Sequence, residues 1–378
     1  PSAGGLARIA ATNGGRGAVT LLRWARMSAA DVLRQFFTRD EMISSAVCAG
    51  PVVWGLSPEL PGTGLGALTY AIRHVAQVGR PVGGSGQLPA AIAAAFEAAG
   101  GILRTNTTVA GIRCEGGKEG GRVRGVVLAD GTEITAPVVV SACDPRRTFV
   151  DWLQNPPAGA GPLVERWRGV AHQDGYESKI DAVVATLPSY RSLADGTAER
   201  LGFDPLTPSA MIAPTVAEMH RGYELANVGG VAERPVLFAN LPSVVDPTMA
   251  PASGGHVFSL ETLFTPYGLP GGWHGSAEPR RWLEAYGTLV QPGFLDGLGD
   301  WRAMTPDRYE SEFHLPSGHA TSFAGGPLAA LRSSQPELTR YRTPVDGLYL
   351  TGAATFPGAG IWGASGRNCA LTVLRDRT

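Results

Sequence analysis

Residues 347–368 join three features that together can do chemistry. Gly347-Leu348-Tyr349-Leu350 is a short apolar strand candidate. The stretch from Thr351 to Gly366 that follows is almost entirely Gly, Ala, Ser and Thr, broken by Phe356-Pro357 and Ile361-Trp362. A helix-like segment from Arg367 to Arg375 closes the chain. Small residues let backbone N–H groups come close to a flat or anionic surface. A helix start directly after them adds the positive end of its dipole. This order suits a pyrophosphate or an electron-rich ring edge.

Two look-alikes must be separated from that reading. Gly358, Gly360 and Gly363 match G-x-G-x-x-G, but that fingerprint needs a preceding strand, a βαβ unit and an acidic residue about 20 positions on. Only fifteen residues follow Gly363, so a Rossmann reading is rejected. Gly84-Ser85-Gly86-Gln87-Leu88-Pro89 leads into a helix (Ala90 to Ala99) and a strand (Ile102 to Arg104). Pro89 replaces its third glycine and no carboxylate follows. A nicotinamide-only dehydrogenase built on residues 84–104 is therefore the weaker rival.

Candidate proton carriers are His314 and His319, in Glu312-Phe313-His314-Leu315-Pro316-Ser317-Gly318-His319, because imidazole titrates near neutrality. No Ser/His/Asp order, phosphate loop or metal-ligand spacing appears, so no metal is expected. Cys48, Cys114, Cys143 and Cys369 show no C-x-x-C and read as reduced thiols of a cytoplasmic protein.

The elements that must position these residues follow from periodicity and punctuation. Residues 17–47 have apolar groups at helical spacing, with Ser28 and Asp31 fit to start a second helix. Leu21, Leu22, Trp24, Phe36 and Phe37 lie near arginines. They suit a buried helix pair, with peripheral membrane contact as the alternative. A further helix is expected near 66–78. The Ala-rich helix after Gly86 ends at Gly100-Gly101. Ile102 to Thr105 reads as a strand. Ile112–Cys114, Val123–Leu128 and Glu133–Thr135 read as an antiparallel meander, with Ala129-Asp130-Gly131 as its hairpin turn. Val138–Ser141 reads as a buried strand ended by Asp144-Pro145. Helices near 161–169 and 279–291, and strands near 179–185, 235–239 and 256–263, suit an antiparallel sheet flanked by helices.

The 378 residues allow two domains. With 32 Lys plus Arg against 33 Asp plus Glu, nucleic acid is not an expected partner. No run of eighteen apolar residues predicts a transmembrane helix. Pro1 replaces an initiator Met, and the expectation is a chain that begins inside a longer frame or after processing.

Four blocks in order carry a resemblance. They are Gly83-Gly84-Ser85-Gly86-Gln87-Leu88, Val126-Val127-Leu128-Ala129-Asp130-Gly131, Val139-Val140-Ser141-Ala142-Cys143-Asp144-Pro145, and Tyr341-Arg342-Thr343-Pro344-Val345-Asp346-Gly347-Leu348-Tyr349-Leu350 through Arg367-Asn368. Together they resemble the phytoene-desaturase-like FAD-dependent oxidoreductases of the amine-oxidase and glutathione-reductase-type superfamily. The resemblance implies an α/β (α+β) fold: the C-terminal part of a glutathione-reductase-type FAD-binding domain, plus a substrate domain with a mixed or antiparallel sheet and flanking helices. It divides the chain into a substrate or helical part (1–80), two FAD-binding segments (81–145 and 313–378) and a substrate domain (146–312).

The same resemblance implies the site. Gly352 and Ala353 would approach the flavin's pyrophosphate and ribityl chain. Gly360, Ile361 and Trp362 would offer N–H groups to the pyrimidine oxygen. Val109 would meet the adenine through its backbone, and Ala142, with Asp144 nearby, would edge the crevice. His314 and His319 could face the flavin, and Trp362, Phe356 and Tyr267 could wall an apolar substrate. The family's opening G-x-G-x-x-G strand–turn–helix is missing from the sequence. A second polypeptide that supplies that segment, or a longer parent chain, is therefore expected. The expected reaction is hydride removal from an apolar small molecule. The alternative is a non-catalytic flavin- or lipid-binding subunit.

Overall fold

The computed structural model describes residues 15–75, 79–116, 121–170, 174–193, 196–202, 206–323, 335–359 and 363–378. Its longer helices are α1 (Arg16–Trp24), α2 (Asp40–Cys48), α3 (Ala67–Val75), α4 (Gln87–Ala98), α5 (Gly161–Gly169), α6 (Val216–Ala226), α7 (Glu278–Gly287), α8 (Pro306–Phe313) and α9 (Ala364–Arg377). Its strands are β1 (Val109–Glu115), β2 (Arg122–Leu128), β3 (Glu133–Thr135), β4 (Val139–Ser141), β5 (Leu153–Gln154), β6 (Glu177–Val184), β7 (Ser209–Ile212), β8 (Leu237–Asn240), β9 (His256–Leu263), β10 (Leu298–Met304) and β11 (Leu348–Leu350). The mixed α/β fold class expected from the sequence is present. Contacts divide the chain into two compact units: residues up to Gly101 with Asp174–Gly318, and Ile102–Gln173 with His319–Thr378.

The first unit is built on a five-stranded antiparallel sheet, ordered β10-β6-β9-β8-β7. Side chains alternate along a strand, so β6 buries Ser178, Ile180, Ala182 and Val184 on one face and leaves Glu177, Lys179, Asp181 and Val183 half-buried on the other. The buried face packs with Phe258 and Leu260 against Trp282, Leu283 and Tyr286 of α7. Burying a side chain of this size stabilises by roughly 1.5–3 kcal/mol, so this layer, with the second cluster around Val32, Val47, Met219 and Phe264, holds the unit together. Ser28 caps the short helix Ala29–Leu33 by accepting from the Asp31 N–H at 3.0 Å, as its sequence position suggests.

The second unit holds a four-stranded sheet, β3-β2-β1-β5, and a separate parallel pair of β4 and β11. The predicted meander is realised as β1, β2 and β3. Its turn closes through Thr132 N–H donating to Asp130 Oδ1 at 2.9 Å, with Gly131 at φ 84°. Ile112, Val123, Phe149, Leu163, Trp167, Leu348 and Leu350 form the core.

Three local expectations fail. Ile102 to Thr105 forms no strand: Ile102 and Leu103 are 76% and 51% exposed, and no described strand pairs with them. Val138–Ser141 is buried on only one side, since Val140 is 45% exposed. The helix pair near residue 17 is only partly buried. Leu21, Trp24 and Phe37 are half-buried, Leu22 and Phe36 are exposed, and α1 buries no residue. No helix among the described residues is long and apolar enough to cross a membrane.

Candidate functional site

In the second unit, β4 and β11 run parallel with Leu350 opposite Ser141. Their ladder continues through Thr351 N–H to Ser141 O at 2.8 Å. Parallel register brings the residues after each strand, Ala142 and Gly352, to the same end of the sheet. Gly352 adopts φ 91°, and a Cβ there would meet Ala142 O at 2.9 Å. Only glycine lets the two strand ends come this close. The structure thus unites two residues singled out from sequence and shows why one of them must lack a side chain.

The loop leaving β11 is pinned at several points. Thr355 donates to Gly352 O through its N–H (3.1 Å) and its hydroxyl (2.9 Å). Phe323 N–H donates to Ala353 O at 2.9 Å, and Ala359 N–H to Ser322 Oγ at 3.1 Å. Phe356 packs edge-on against Phe323 at 5.8 Å. Helix α9 begins after Gly363, a left-handed N-cap with no side-chain cap. Its first N–H groups receive no side-chain cap from Gly363 and stand at the positive end of a 14-residue helix. Gly360, Ile361 and Trp362 lie outside the described residues.

Asp144 works as a cap. Its Oδ1 accepts from Arg146 N–H (2.8 Å) and Arg147 N–H (3.1 Å), and its Oδ2 accepts from the Thr321 hydroxyl (2.7 Å). It therefore fixes the turn that follows Ala142 and ties it to the segment after His319. Cys143, exposed between them, has its thiol pKa pushed up, mainly by burial of the sulfur's surroundings. Val109 opens β1 opposite Leu128. A cavity of about 400 Å³ lies beside it, lined by Thr108, Leu128, Asp130, Thr132, Asn106 and Arg104 among others.

The two histidines fall in different units. His314 belongs to the first, where it ends α8 at φ 56° with an exposed side chain. His319 belongs to the second and is half-buried. Tyr267 donates its hydroxyl to Glu310 in the first unit. No group of three or more potential metal ligands occurs among the described residues.

Sequence reading missed a charged array on the first unit's sheet. Lys179 of β6 stands opposite Glu261 of β9, with Glu177 two residues before Lys179. Lys179 Nζ is 2.8 Å from Asp181 Oδ1. Burial, reinforced by the Glu177 charge and opposed by Lys179, pushes the Glu261 carboxyl up to about 7. Burial also raises Glu177. The available signal was the alternation Glu177-x-Lys179-x-Asp181, which puts three charges on one strand face.

Comparison with known proteins agrees with the resemblance. The profile of flavin containing amine oxidoreductases matches residues 25–149. The chain is 31% identical over 366 residues to rat pyridine nucleotide-disulfide oxidoreductase domain-containing protein 2, covering 91% of this chain and 60% of that protein. It is 28% identical over 286 residues to the neurosporene-forming phytoene desaturase of Rhodobacter capsulatus, covering 74% of this chain and 50% of that enzyme. The chain thus spans roughly half to three-fifths of these relatives' length. In fold it is similar to an oxidoreductase from Methanosarcina mazei, with a TM-score of 0.57 at 16% identity over 95% of this chain and 71% of that one.

The residues present fit FAD. Gly352 brings the ends of β4 and β11 together without a side chain, and the start of α9 after Gly363 places the positive end of a helix dipole in the same segment, which suits an anionic or electron-rich group held by backbone.

Proposed function

We propose that this chain, similar in sequence to phytoene desaturases and to flavin containing amine oxidoreductases, contributes the C-terminal part of the FAD site of an enzyme that removes hydride from an apolar small molecule. The observation that carries this reading is the close approach of Gly352 to Ala142 at the ends of two parallel strands, followed by a loop that Ser365, in the first turn of α9, bonds at Thr355 O (3.3 Å) and Phe356 O (3.5 Å). When bound, the flavin supplies a two-electron acceptor. The protein's task is then to bind and orient.

In this reading the Ala142–Gly352 pair admits the cofactor to backbone contact, and the α9 N–H groups favour negative charge on its ring. Asp144 and Thr321 hold the turn beside Ala142 in place. Val109 and the cavity beside it take the adenine end.

A second polypeptide, or a further part of the same one, completes the site. Two observations support this. Helix α4 is apolar nearly all round yet buries no residue, with Ile92 59% and Phe96 50% exposed. A helix of this pattern is stable in water when something covers it. In the other unit, β4 and β11 pair only with each other among the described strands. A parallel pair with strands of three residues needs neighbours to persist.

Native mass spectrometry of the protein from its own source tests this reading. One non-covalent FAD on a complex with a second, smaller chain, or on a longer parent chain, is the expected result. A flavin-free chain that refuses FAD with every completing segment overturns it.

A further inference from the structure

Tyr341 precedes β11 and is 5% exposed, packed with Tyr349 and Cys369. Its hydroxyl sits between two segments of the candidate site. It donates to Phe356 O at 2.6 Å and accepts from Asn368 Nδ2 of α9 at 3.1 Å. Its carbonyl accepts from Leu350 N–H, the last residue of β11, at 3.0 Å. One residue thus touches the strand, the loop after it and the helix after that. Tyr341 does so at φ 65°, a conformation a bulky side chain adopts only when its surroundings impose it. Phe356 itself is held by two further bonds. Its N–H donates to Leu338 O at 2.7 Å, and Ser365 Oγ lies 3.5 Å from its carbonyl.

We propose that Tyr341 is a positioning residue for the flavin. By clamping Phe356 O to Asn368, it fixes the distance between the 352–358 loop and the N–H donors of α9, and so sets cofactor affinity and reduction potential without touching the cofactor. The proposal rests on the FAD reading of this crevice. The loop is built largely of small residues, and among their side chains only the Thr355 hydroxyl bonds the loop backbone, at Gly352 O. Its geometry also depends on bonds supplied from outside it: Tyr341 bridges Phe356 O to Asn368, beside the longer bonds from Ser365 Oγ to Thr355 O and Phe356 O. Removing the hydroxyl leaves Phe356 O and Asn368 Nδ2 each short of a buried partner.

The test is Tyr341→Phe in the flavin-loaded protein, with Tyr349→Phe as the control. Tyr349 lies in the same packed cluster, but its hydroxyl donates to Asp376, at the far end of α9. Two readouts are taken. Amide hydrogen exchange at Phe356 and Gly358 reports the loop in the absence of flavin. FAD titration and the midpoint potential of the bound flavin report the site. For Tyr341→Phe the expected result is faster exchange at both amides, FAD binding weaker by roughly tenfold and a shifted potential. Tyr349→Phe should change none of these, whatever it does to melting temperature.

Unchanged exchange in Tyr341→Phe overturns the proposal whether or not flavin binds. So does a fall in melting temperature shared by both variants with affinity and potential untouched, because that is a packing role only. Failure of the wild-type protein to take FAD at all overturns the flavin reading itself and with it the cofactor half of the proposal. Exchange then decides the loop clamp alone.

Discussion

Glu337 is wholly buried, and one oxygen of its carboxylate receives both the Arg166 guanidinium and the Trp167 indole N–H, the latter at 3.2 Å. These partners come from α5, some 170 residues earlier in the chain. The next residue, Leu338, accepts the Phe356 N–H. The ion pair therefore anchors the short helix Pro336–Thr339, and that helix anchors the loop of the candidate site.

Arg166→Leu should destabilise the protein strongly, because it leaves a buried carboxylate without its cation. Breaking a buried pair costs about 3–5 kcal/mol, and the lower end applies here, since the Arg166 side chain is 35% exposed. Glu337→Gln should cost less, since the amide oxygen still accepts from Trp167. Denaturant melts of the two variants check the order, and a Glu337→Gln loss equal to that of Arg166→Leu would contradict it.

Gly352→Ala should damage the site more than the fold. The left-handed conformation costs a non-glycine residue about 1–2 kcal/mol, and the added Cβ would press on Ala142 O at 2.9 Å. The strand ends must part to relieve it, which moves the backbone that the flavin is proposed to contact. The expected outcome is FAD affinity reduced by tenfold or more, about 1.4 kcal/mol, with a modest loss of stability. An isothermal FAD titration decides, and unaltered affinity would place the flavin elsewhere.

The parts of this fold that were legible in sequence are those where local chemistry and tertiary structure agree. The Ala129-Asp130-Gly131 turn, the Ser28 cap and the terminal strand–loop–helix all rest on short-range rules, and all appear. Ile102 to Thr105 has strand-like residues but no described neighbour to pair with, and a ladder cannot form alone. Strand β10, Leu298–Met304, escaped notice because its side chains are largely exposed and include Asp300 and Arg302. Helix α6 was missed although Thr215 and Glu218 form a capping box. The Tyr341 clamp and the Glu337 anchor were invisible because each joins residues far apart in sequence with no periodicity to betray them.

The Glu177–Glu261 face should make stability fall as pH rises through the range 4.5 to 7. An unfolded Glu261 ionises near 4.5, whereas burial holds the folded carboxyl protonated up to about 7. In that window the native state binds more protons than the unfolded one, so stabilisation is present below pH 4.5 and lost by pH 7. The slope from this group approaches at most about 1.4 kcal/mol per pH unit. Glu261→Gln should flatten it. Denaturant midpoints of both proteins across this range give the answer, and identical slopes would rule the carboxyl out as the source.

Covering α4 should matter for solubility. Ile92→Glu with Phe96→Glu should lower binding of an apolar-surface dye to the isolated chain, since both side chains are exposed and neither lies in a core. If a completing polypeptide covers this helix, the same double variant should weaken co-purification. Dye binding and co-purification both at wild-type levels would show that α4 needs no cover.

The central claim is that the ends of β4 and β11 and the start of α9 hold FAD. The most direct measurement is an FAD titration of this chain with a polypeptide bearing the family's G-x-G-x-x-G strand–turn–helix, run for wild type and for Gly352→Ala. The account predicts one FAD per complex for wild type and a loss of tenfold or more in affinity for the variant. Equal FAD affinity in the two proteins, or a complex that forms and stays flavin-free, would contradict it.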